Sequence, residues 1–400
     1  MFTFWKQSLI NWQHPVANIV SIKEAILLNR SKLAILATVP ILLLTISACS
    51  GNNGENRVVI QEPGKSITII EEESKTPAAG EAITVGNIKK YDEMYIFGWL
   101  DEETVIVAME NESLGKMKLE ELSDTYPQSL YKYNLKTDTA TPLIEKENIY
   151  IGGGNLSPDK KHLMYQEYVI GDPSYYMMNL ETLETINIPL AMSARWMGND
   201  SIVGASYAGG AYMATTSGEI QEKIVEIQED FLFLVVPNGD QLYYNTDASS
   251  PLKMLNMKTK EIKELGFASA SNVIPSPDGT QLLVELYSET KGEILLSDSD
   301  GENVKTIAEG AELGGMSWSA DQRFIAYSKQ DEVNGAMVKG LYVYDVLSDE
   351  STRILANMDS SLSTTWSPSG KELTYTVWNG SNYESSVIEI QASLATIGNE

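Results

Sequence analysis

Few residue types in this chain could support chemistry. It has 400 residues, with a single cysteine, Cys49, and two histidines, of which only His162 lies beyond the first 14 positions. A serine hydrolase of the nucleophile-elbow type needs Gly-x-Ser-x-Gly, and the nearest match, Gly204-Ala-Ser-Tyr-Ala208, ends in alanine. His162 occupies an ordinary position in a β-prone segment, whereas metal and acid–base sites combine several histidines or convergent acids. We therefore predict no catalytic, cofactor-binding or metal-binding residues.

Two glycine-containing motifs are interpreted as structural. Asp298-Ser-Asp-Gly-Glu302 resembles half of a calcium loop, but the third aspartate and the distal glutamate are missing, which favours a turn. Gly152-Gly-Gly154 lacks the Lys-Ser/Thr that follows a phosphate loop. We interpret this run as a place where a strand approaches its neighbours closely.

The charge balance excludes one class of partner. The chain has 29 Lys and Arg against 55 Asp and Glu, a formal net charge of −26. A negative field of this size repels nucleic acid and favours cations or basic partners. We therefore predict no nucleic-acid partner. A single cysteine also excludes a disulfide framework or a cysteine zinc cluster.

The N-terminal segment carries a targeting signal. Basic residues up to Lys32 precede the uncharged run Leu33–Ala48, which is shorter than the roughly 20 residues of a membrane-spanning helix. The run ends in Ile46-Ser-Ala-Cys49, which resembles the bacterial lipobox, where the peptide is cut before the cysteine and the thiol receives a lipid. An uncleaved signal anchor, or a secreted protein cut near Ala48, is the alternative.

This signal predicts the organisation and location of the chain. Residues 1–48 are a lipoprotein signal peptide, 49–82 a lipidated Cys49 with a flexible tether, and 83–400 the folded domain. Two or three acyl chains anchor a protein stably without spanning the bilayer. We therefore expect a membrane-anchored protein on the extracytoplasmic side, whose membrane partner is reached through the lipid on Cys49.

An internal repeat dominates the folded domain. A Trp/Leu-Ser-Pro-Asp-Gly type of turn recurs at intervals of roughly 40 to 60 residues, and alternating apolar residues follow each copy. A second turn later in most copies separates two further strands. Each copy thus supplies about four short strands, which is typical of a β-propeller blade. The copies begin at Trp99, Leu156, Trp196, Val235, Pro275, Trp318 and Trp366.

The repeat predicts an all-β β-propeller, with seven four-stranded blades and six or eight as alternatives. The pattern resembles the TolB-type and WD-like propeller repeats of bacterial envelope proteins, over about residues 90 to 391. That resemblance implies a fold rather than a function. The last copy has only three strands, so we expect Ile83–Val85 or Ser66–Ile70 to complete its sheet and close the ring.

A candidate binding face follows from the spacing of the repeats. Copies one, six and seven have extra residues between their second and third strands, and insertions on one face of a repeat fold often mark its binding side. Aromatic residues are frequent in these and the equivalent connections, where they could contact sugars or a protein partner. The candidate residues are Tyr126, Tyr168, Tyr175, Tyr207, Tyr212, Trp378 and Tyr383.

We hypothesise that the chain is a non-catalytic binding or scaffold module for a protein or an envelope polymer. The alternative is a hydrolase or lyase that acts on a glycan or lactone through carboxylates in the propeller channel. A third hypothesis is a sensor or accessory subunit of another membrane protein.

The lipidation signal is directly testable. Replacing Cys49 by alanine removes the thiol that would carry the lipid. We expect the Cys49→Ala variant to lose all incorporation of an alkyne-labelled fatty acid, and its cleaved form to leave the membrane fraction. Unchanged labelling of the variant would refute lipidation at Cys49.

Overall fold

The computed structural model describes residues 57–62, 65–70 and 83–392, except for 172, 189–191, 207–208, 230, 248, 289–290, 334, 357 and 359–361. Cys49 and the segment before it lie outside the described residues. Helix in the described part is confined to two three-residue 3-10 turns, Glu112–Leu114 and Glu120–Leu122. None of the helices described there is long and apolar enough to cross a membrane.

The chain divides into two compact units, residues 13–81 and the part from residue 82 onward. In the first unit, β1 (Arg57–Glu62) and β2 (Lys65–Ile70) form an antiparallel hairpin in which Arg57 is opposite Ile70. The ring-closing candidate Ser66–Ile70 therefore pairs with the neighbouring segment Arg57–Glu62. Of the two candidates for closing the ring, Ser66–Ile70 is wrong, because it is occupied in this hairpin.

The second unit is a β-propeller of seven four-stranded antiparallel sheets. This confirms the predicted fold and blade number. The sheets are numbered as blades 1 to 7, and each runs from its first, innermost strand to its fourth, outermost strand. The strands of blades 1 to 3 are β4 (Met94–Trp99), β5 (Thr104–Glu110), β6 (Gln128–Asn134), β7 (Thr139–Ile144), β8 (Tyr150–Leu156), β9 (His162–Tyr168), β10 (Ser174–Asn179), β11 (Thr185–Ile188), β12 (Met192–Trp196), β13 (Ser201–Ala205), β14 (Ala211–Thr215) and β15 (Ile220–Lys223).

Blades 4 to 7 follow the same order, except that the fourth strand of blade 7 comes from the start of the unit. Their strands are β16 (Leu234–Asn238), β17 (Gln241–Asn245), β18 (Lys253–Asn256), β19 (Ile262–Glu264), β20 (Ala270–Pro275), β21 (Gln281–Tyr287), β22 (Gly292–Asp298), β23 (Lys305–Gly310), β24 (Glu312–Trp318), β25 (Phe324–Val333), β26 (Ala336–Asp345), β27 (Glu350–Leu355), β28 (Leu362–Trp366), β29 (Glu372–Trp378), β30 (Tyr383–Ala392) and β3 (Ile83–Asp92).

The pairing of β3 with β30 closes the ring. The register runs from Ile83 opposite Ala392 to Asp92 opposite Glu384. The predicted closure by the segment beginning at Ile83 is therefore confirmed. Lys89 on β3 ties this strand to blade 1, because its Nζ donates to an Asp138 carboxylate oxygen at 2.6 Å. Closure leaves no exposed edge on the third strand of blade 7.

The core lies in the interfaces between neighbouring blades. Ile106 and Leu130 of blade 1 pack with Leu163 and Tyr165 of blade 2, and all four side chains are fully buried. Each sheet is covered on both faces by its two neighbouring blades, so its second strand carries apolar side chains on both sides. Residues 202–205 of β13, for example, are all buried.

The alternating strand directions define two faces of the propeller. The turn face carries the turns between first and second strands and between third and fourth strands. The loop face carries the connections between second and third strands and from each blade to the next. Ile83 and Ala392 lie at the turn face, so the chain enters the propeller there.

The Ser-Pro-Asp motif closes the first turn of the blade by side-chain hydrogen bonds. In blade 5 the Ser276 hydroxyl donates to Asp278 at 2.7 Å and accepts the Gln281 N–H at 3.0 Å. Equivalent serines at 157 and 319 make the same pair of bonds. Hydrogen bonds from backbone and side-chain donors lower the pKa of the Asp278 carboxyl.

Three tryptophans of the repeat, in blades 3, 6 and 7, link their blade to the one before it. The indole Nε1 of Trp196 donates to the Asn155 carbonyl at 3.1 Å, and that of Trp366 donates to the Ser317 carbonyl at 3.3 Å. Trp318 makes the same kind of bond to blade 5. The repeat signature is therefore an inter-blade contact as well as a turn.

The Ser276 turn generates a stability prediction. Ser276→Ala removes both hydrogen bonds of a buried hydroxyl. Each such bond contributes about 0.5–1.5 kcal/mol, so we expect the free energy of unfolding to fall by about 1–3 kcal/mol. Urea denaturation measures this change. The control is Ser381→Ala, at an exposed loop position, for which we expect a change below about 0.5 kcal/mol. Equal losses in the two variants would contradict a structural role for the Ser276 hydroxyl.

Candidate binding surface on the loop face

The structure places the predicted aromatic residues at the loop-face ends of the strands. Tyr168 ends β9 and Tyr175 lies at the start of β10; Trp378 ends β29 and Tyr383 begins β30. Tyr212 lies at the start of β14, and Tyr126 lies in the insertion of blade 1. Tyr207 is outside the described residues. The predicted residues thus share a face, although they do not form one cluster.

The insertion of blade 1, residues 111–127, is folded onto the loop face. The side chains of Met117 and Leu122, which belong to this insertion, are buried. The Asn111 side chain accepts the Ser113 N–H at 3.2 Å, which caps the first 3-10 turn. The extra residues of blade 6 do not form a folded insertion. They extend β25 and β26 into a long hairpin of two ten-residue strands.

An aromatic cluster occupies the loop-face end of blades 7, 1 and 2. The Tyr383 ring contacts Trp378 edge-on at a centroid distance of 4.9 Å and Tyr95 at 4.8 Å. Tyr95 in turn lies 4.4 Å from Phe97. On the blade 2 side, Tyr150 and Tyr168 lie 5.7 Å apart. These six residues are called the aromatic cluster below.

The cluster is partly open to solvent. Tyr150 and Tyr168 are buried, whereas Tyr95, Trp378 and Tyr383 are each half-buried. Burial, followed by the proximity of the Tyr383 hydroxyl, raises the pKa of Tyr168. The hydroxyl of Tyr95 donates to the Ser363 hydroxyl at 2.9 Å. The rings are therefore held by contacts among blades while part of their surface stays accessible.

The triple glycine of β8 makes room for this cluster. A Cβ atom at Gly154 would lie 3.1 Å from the Phe97 ring. Gly153 has a φ of +64°, and a Cβ there would lie 2.9 Å from the Gln166 side chain. The close approach predicted for Gly152–Gly154 is therefore confirmed, and its purpose is to admit Phe97.

Two predicted residues take part in the packing between blades. Tyr175 and Tyr212 pack against the buried cluster that contains Ile202 and Ala214. The Lys223 ammonium also lies over the Tyr212 ring, 5.7 Å from its centroid. Tyr126 is separate from both groups, and Lys116 lies 5.9 Å from its ring centroid.

Sequence reasoning missed half of the aromatic cluster. Tyr95 and Phe97 lie on the first strand of blade 1, and Tyr150 begins the first strand of blade 2. The aromatic alternation Tyr95-Ile-Phe97 was a visible signal, but only the ring shows that a first strand of one blade meets Tyr383 from another.

The motifs that the sequence analysis interpreted as structural have structural roles in the propeller. Asp298-Ser-Asp-Gly-Glu302 is a hydrogen-bonded turn, in which the Gly301 N–H donates to the Asp298 carbonyl at 3.0 Å. His162 begins β9 and lies beside Trp196, with ring centroids 6.4 Å apart. Within the described ranges, no group of three or more His, Cys, Asp or Glu side chains is arranged to hold a metal ion.

Glu285 is the acid whose ionisation the fold alters most clearly. Its side chain is 9% exposed on β21, and burial raises the pKa of its carboxyl to about 7. The Ser271 hydroxyl opposes this shift by hydrogen bonding. A carboxyl with such a pKa could exchange a proton near neutral pH.

No protein-family model matches the chain, and neither does any curated protein. Solved structures match it in fold. Oligogalacturonate lyase from Vibrio parahaemolyticus gives a TM-score of 0.56 at 12% identity, over 77% of this chain and 97% of that one. An oligogalacturonate lyase in complex with manganese gives 0.52 at 15% identity, over 76% and 98%. The Cps50 (Swd1) β-propeller domain of Myceliophteria thermophila gives 0.52 at 12% identity, over 77% and 100%.

The predicted resemblance to propeller repeats therefore holds at the level of the fold. TolB from Acinetobacter baumannii also matches, with a TM-score of 0.44 at 13% identity, over 72% of this chain and 65% of that one. At identities this low, the likeness extends to the fold alone. The envelope location stays a prediction.

Glu285 generates a pH prediction. Its folded-state pKa of about 7 is above the ordinary value of about 4.3, so protonation favours the folded state. This contribution is complete below the unfolded pKa and is lost as the pH rises through 7. We therefore expect the melting temperature to fall more between about pH 5 and pH 8 in the wild type than in Glu285→Gln. The exposed Glu261→Gln is the control, and a wild-type slope retained in Glu285→Gln would contradict the assignment.

Proposed function

We propose that this chain is a lipid-anchored, extracytoplasmic β-propeller that binds a partner on its loop face without catalysis. The observation that carries the proposal is the aromatic cluster, in which three blades hold six rings together and leave part of the Tyr95, Trp378 and Tyr383 side chains accessible. Rings fixed in this way lose little conformational entropy when they bind, and for that reason aromatic residues dominate the energetics of many interfaces.

Exposed apolar side chains on the same face support a binding role. Ile170, in the connection between β9 and β10, is 58% exposed, and Met337, near the loop-face start of β26, is 51% exposed. Phe231, 46% exposed, lies in the connection that enters blade 4. Exposed apolar groups beside a folded insertion are typical of an interaction surface.

The turn face supports a different role. Its polar groups bond to one another across blades: Asn238 Nδ2 donates to the Gly279 carbonyl at 2.9 Å, and the Ser369 hydroxyl donates to Glu102 at 2.7 Å. Groups satisfied in this way stabilise the ring and are less available to a ligand.

Glycan cleavage is the second candidate function, and Glu285 is the observation that favours it. A carboxyl with a pKa near 7 could act as a general acid or base. The net charge of −26 opposes an anionic substrate such as oligogalacturonate, because like charges repel it from the surface. Neutral glycans fit this candidate better. It would be supported by new reducing ends released from neutral envelope glycans and lost in Glu285→Gln.

The proposed binding function is tested with an affinity-tagged full-length chain in its own membranes. Cells expressing the wild type, Trp378→Ala or Leu347→Ala are crosslinked and gently solubilised, and co-purifying proteins are quantified by mass spectrometry. Leu347 is the control because it is 78% exposed on the turn face. We expect a stoichiometric partner with the wild type and Leu347→Ala, and its recovery to fall at least several-fold with Trp378→Ala.

Two results would count against this function. If Trp378→Ala and Leu347→Ala recover the partner equally, the loop face is not the contact surface. If the wild type is recovered alone, the binding module is rejected in favour of glycan-cleavage assays. The melting temperature of each variant verifies that the propeller is intact.

A further inference from the structure

A group of carboxylates borders the aromatic cluster. Glu93 lies between β3 and β4, Glu110 ends β5, and Glu112 begins the first 3-10 turn of the blade 1 insertion; all three are exposed. Glu93 accepts a hydrogen bond from Asn382 Nδ2 at 3.0 Å, in the short loop between Trp378 and Tyr383. Glu93, Glu110 and Glu112 are called the acidic rim below.

The acidic rim is electrostatically unbalanced. Partial burial of the carboxyl, followed by the charges of Glu93 and Glu112, raises the pKa of Glu110, so this carboxyl lies near both of the others. Glu110 also acts on the cluster, because its charge adds to the burial that raises the pKa of Tyr150. Among the described residues, no lysine or arginine forms an ion pair with any of the three.

Several other aromatic rings of the chain have a lysine ammonium over their face, in contrast to the rings beside the acidic rim. Lys89 lies 4.9 Å from the centroid of the Tyr91 ring, and Lys116 lies 5.9 Å from that of Tyr126. In the part of the chain that the structure describes, none of the Lys or Arg side chains lies over Tyr95, Trp378 or Tyr383. Tyr95, Trp378 and Tyr383 thus combine accessible ring surface with nearby carboxylates, and no cation of the described residues covers these three rings.

We propose that the aromatic cluster and the acidic rim together bind a lysine-bearing segment of a protein partner. The inference rests on the proposed binding function and specifies its chemistry. An ammonium group is attracted both to carboxylates and to the faces of aromatic rings, and the methylenes of a lysine pack on those rings. A peptide segment fits better than a small cation. The rings are spread over three blades, and successive side chains of a peptide can contact several of them at once.

The probe is a fluorescent peptide with four repeats of Lys-Gly-Ser, compared with peptides in which glutamate or glutamine replaces lysine. Binding to the full-length chain in detergent is measured by fluorescence anisotropy at low and high salt. We expect saturable binding of the lysine peptide only. Its affinity should fall about five- to tenfold in the triple variant E93Q/E110Q/E112Q, since each exposed charge pair contributes modestly, and the difference should shrink at about 1 M salt.

A matched variant separates a local site from the general charge of the protein. E181Q/E184Q/E261Q also removes three exposed carboxylates, but on the turn face. We expect it to bind the lysine peptide like the wild type. Equal losses in the two triple variants, or equal binding of the glutamine peptide, would overturn the proposal. Trp378→Ala should weaken lysine-peptide binding as well, and unchanged binding would remove the rings from the site.

The two proposals fail in distinguishable ways. A crosslinked partner that is lost with Trp378→Ala but retained with E93Q/E110Q/E112Q leaves the binding function intact and rejects the basic segment. Recovery of the wild type without any partner, together with no binding of the lysine peptide, rejects both.

Discussion

The pairing of β3 with β30 is the interaction on which the rest of the molecule depends. The last sheet of the ring takes its fourth strand from the start of the domain: Ile83–Asp92 completes blade 7 and thereby joins the two ends of the ring. The same pairing positions the candidate site. Because β3 continues through Glu93 into β4, closure brings Tyr95 of blade 1 against Tyr383 at the start of β30.

The two faces of the ring use their polar groups differently. On the turn face, the serines and aspartates of the repeated turns satisfy backbone donors, and side chains such as Asn238 join one blade to the next. These bonds serve stability and repeat because each blade needs them. The loop face is irregular from blade to blade, and this variation allows a binding surface to differ from the scaffold that supports it.

Charge and aromatic packing converge at blades 7, 1 and 2. A chain with a net charge of −26 attracts basic partners over its whole surface, which increases encounter rates more than it selects a partner. Selectivity requires local structure, and in the proposed site the rings fixed around Tyr383 would provide it. The folded insertion of blade 1 adds a further surface beside them, where Thr125 is hydrogen bonded to Tyr150.

The sequence by itself determined the all-β propeller, favoured seven blades over six or eight, and indicated a close approach at Gly152–Gly154. It left Ile83–Val85 and Ser66–Ile70 as candidates for closing the ring, and the structure decided for the first. The features that the sequence determined are encoded locally, because turn residues and apolar residues that alternate with a period of two recur in each repeat. The sequence also singled out Trp378, Tyr383 and Tyr168. Only the tertiary structure decided that these three belong together with Tyr95, whereas Tyr175 and Tyr212 serve packing between blades 2 and 3. The reason is geometric, since contacts across a closed ring join residues up to about 300 positions apart, such as Tyr95 and Tyr383, and no local pattern records which blades become neighbours.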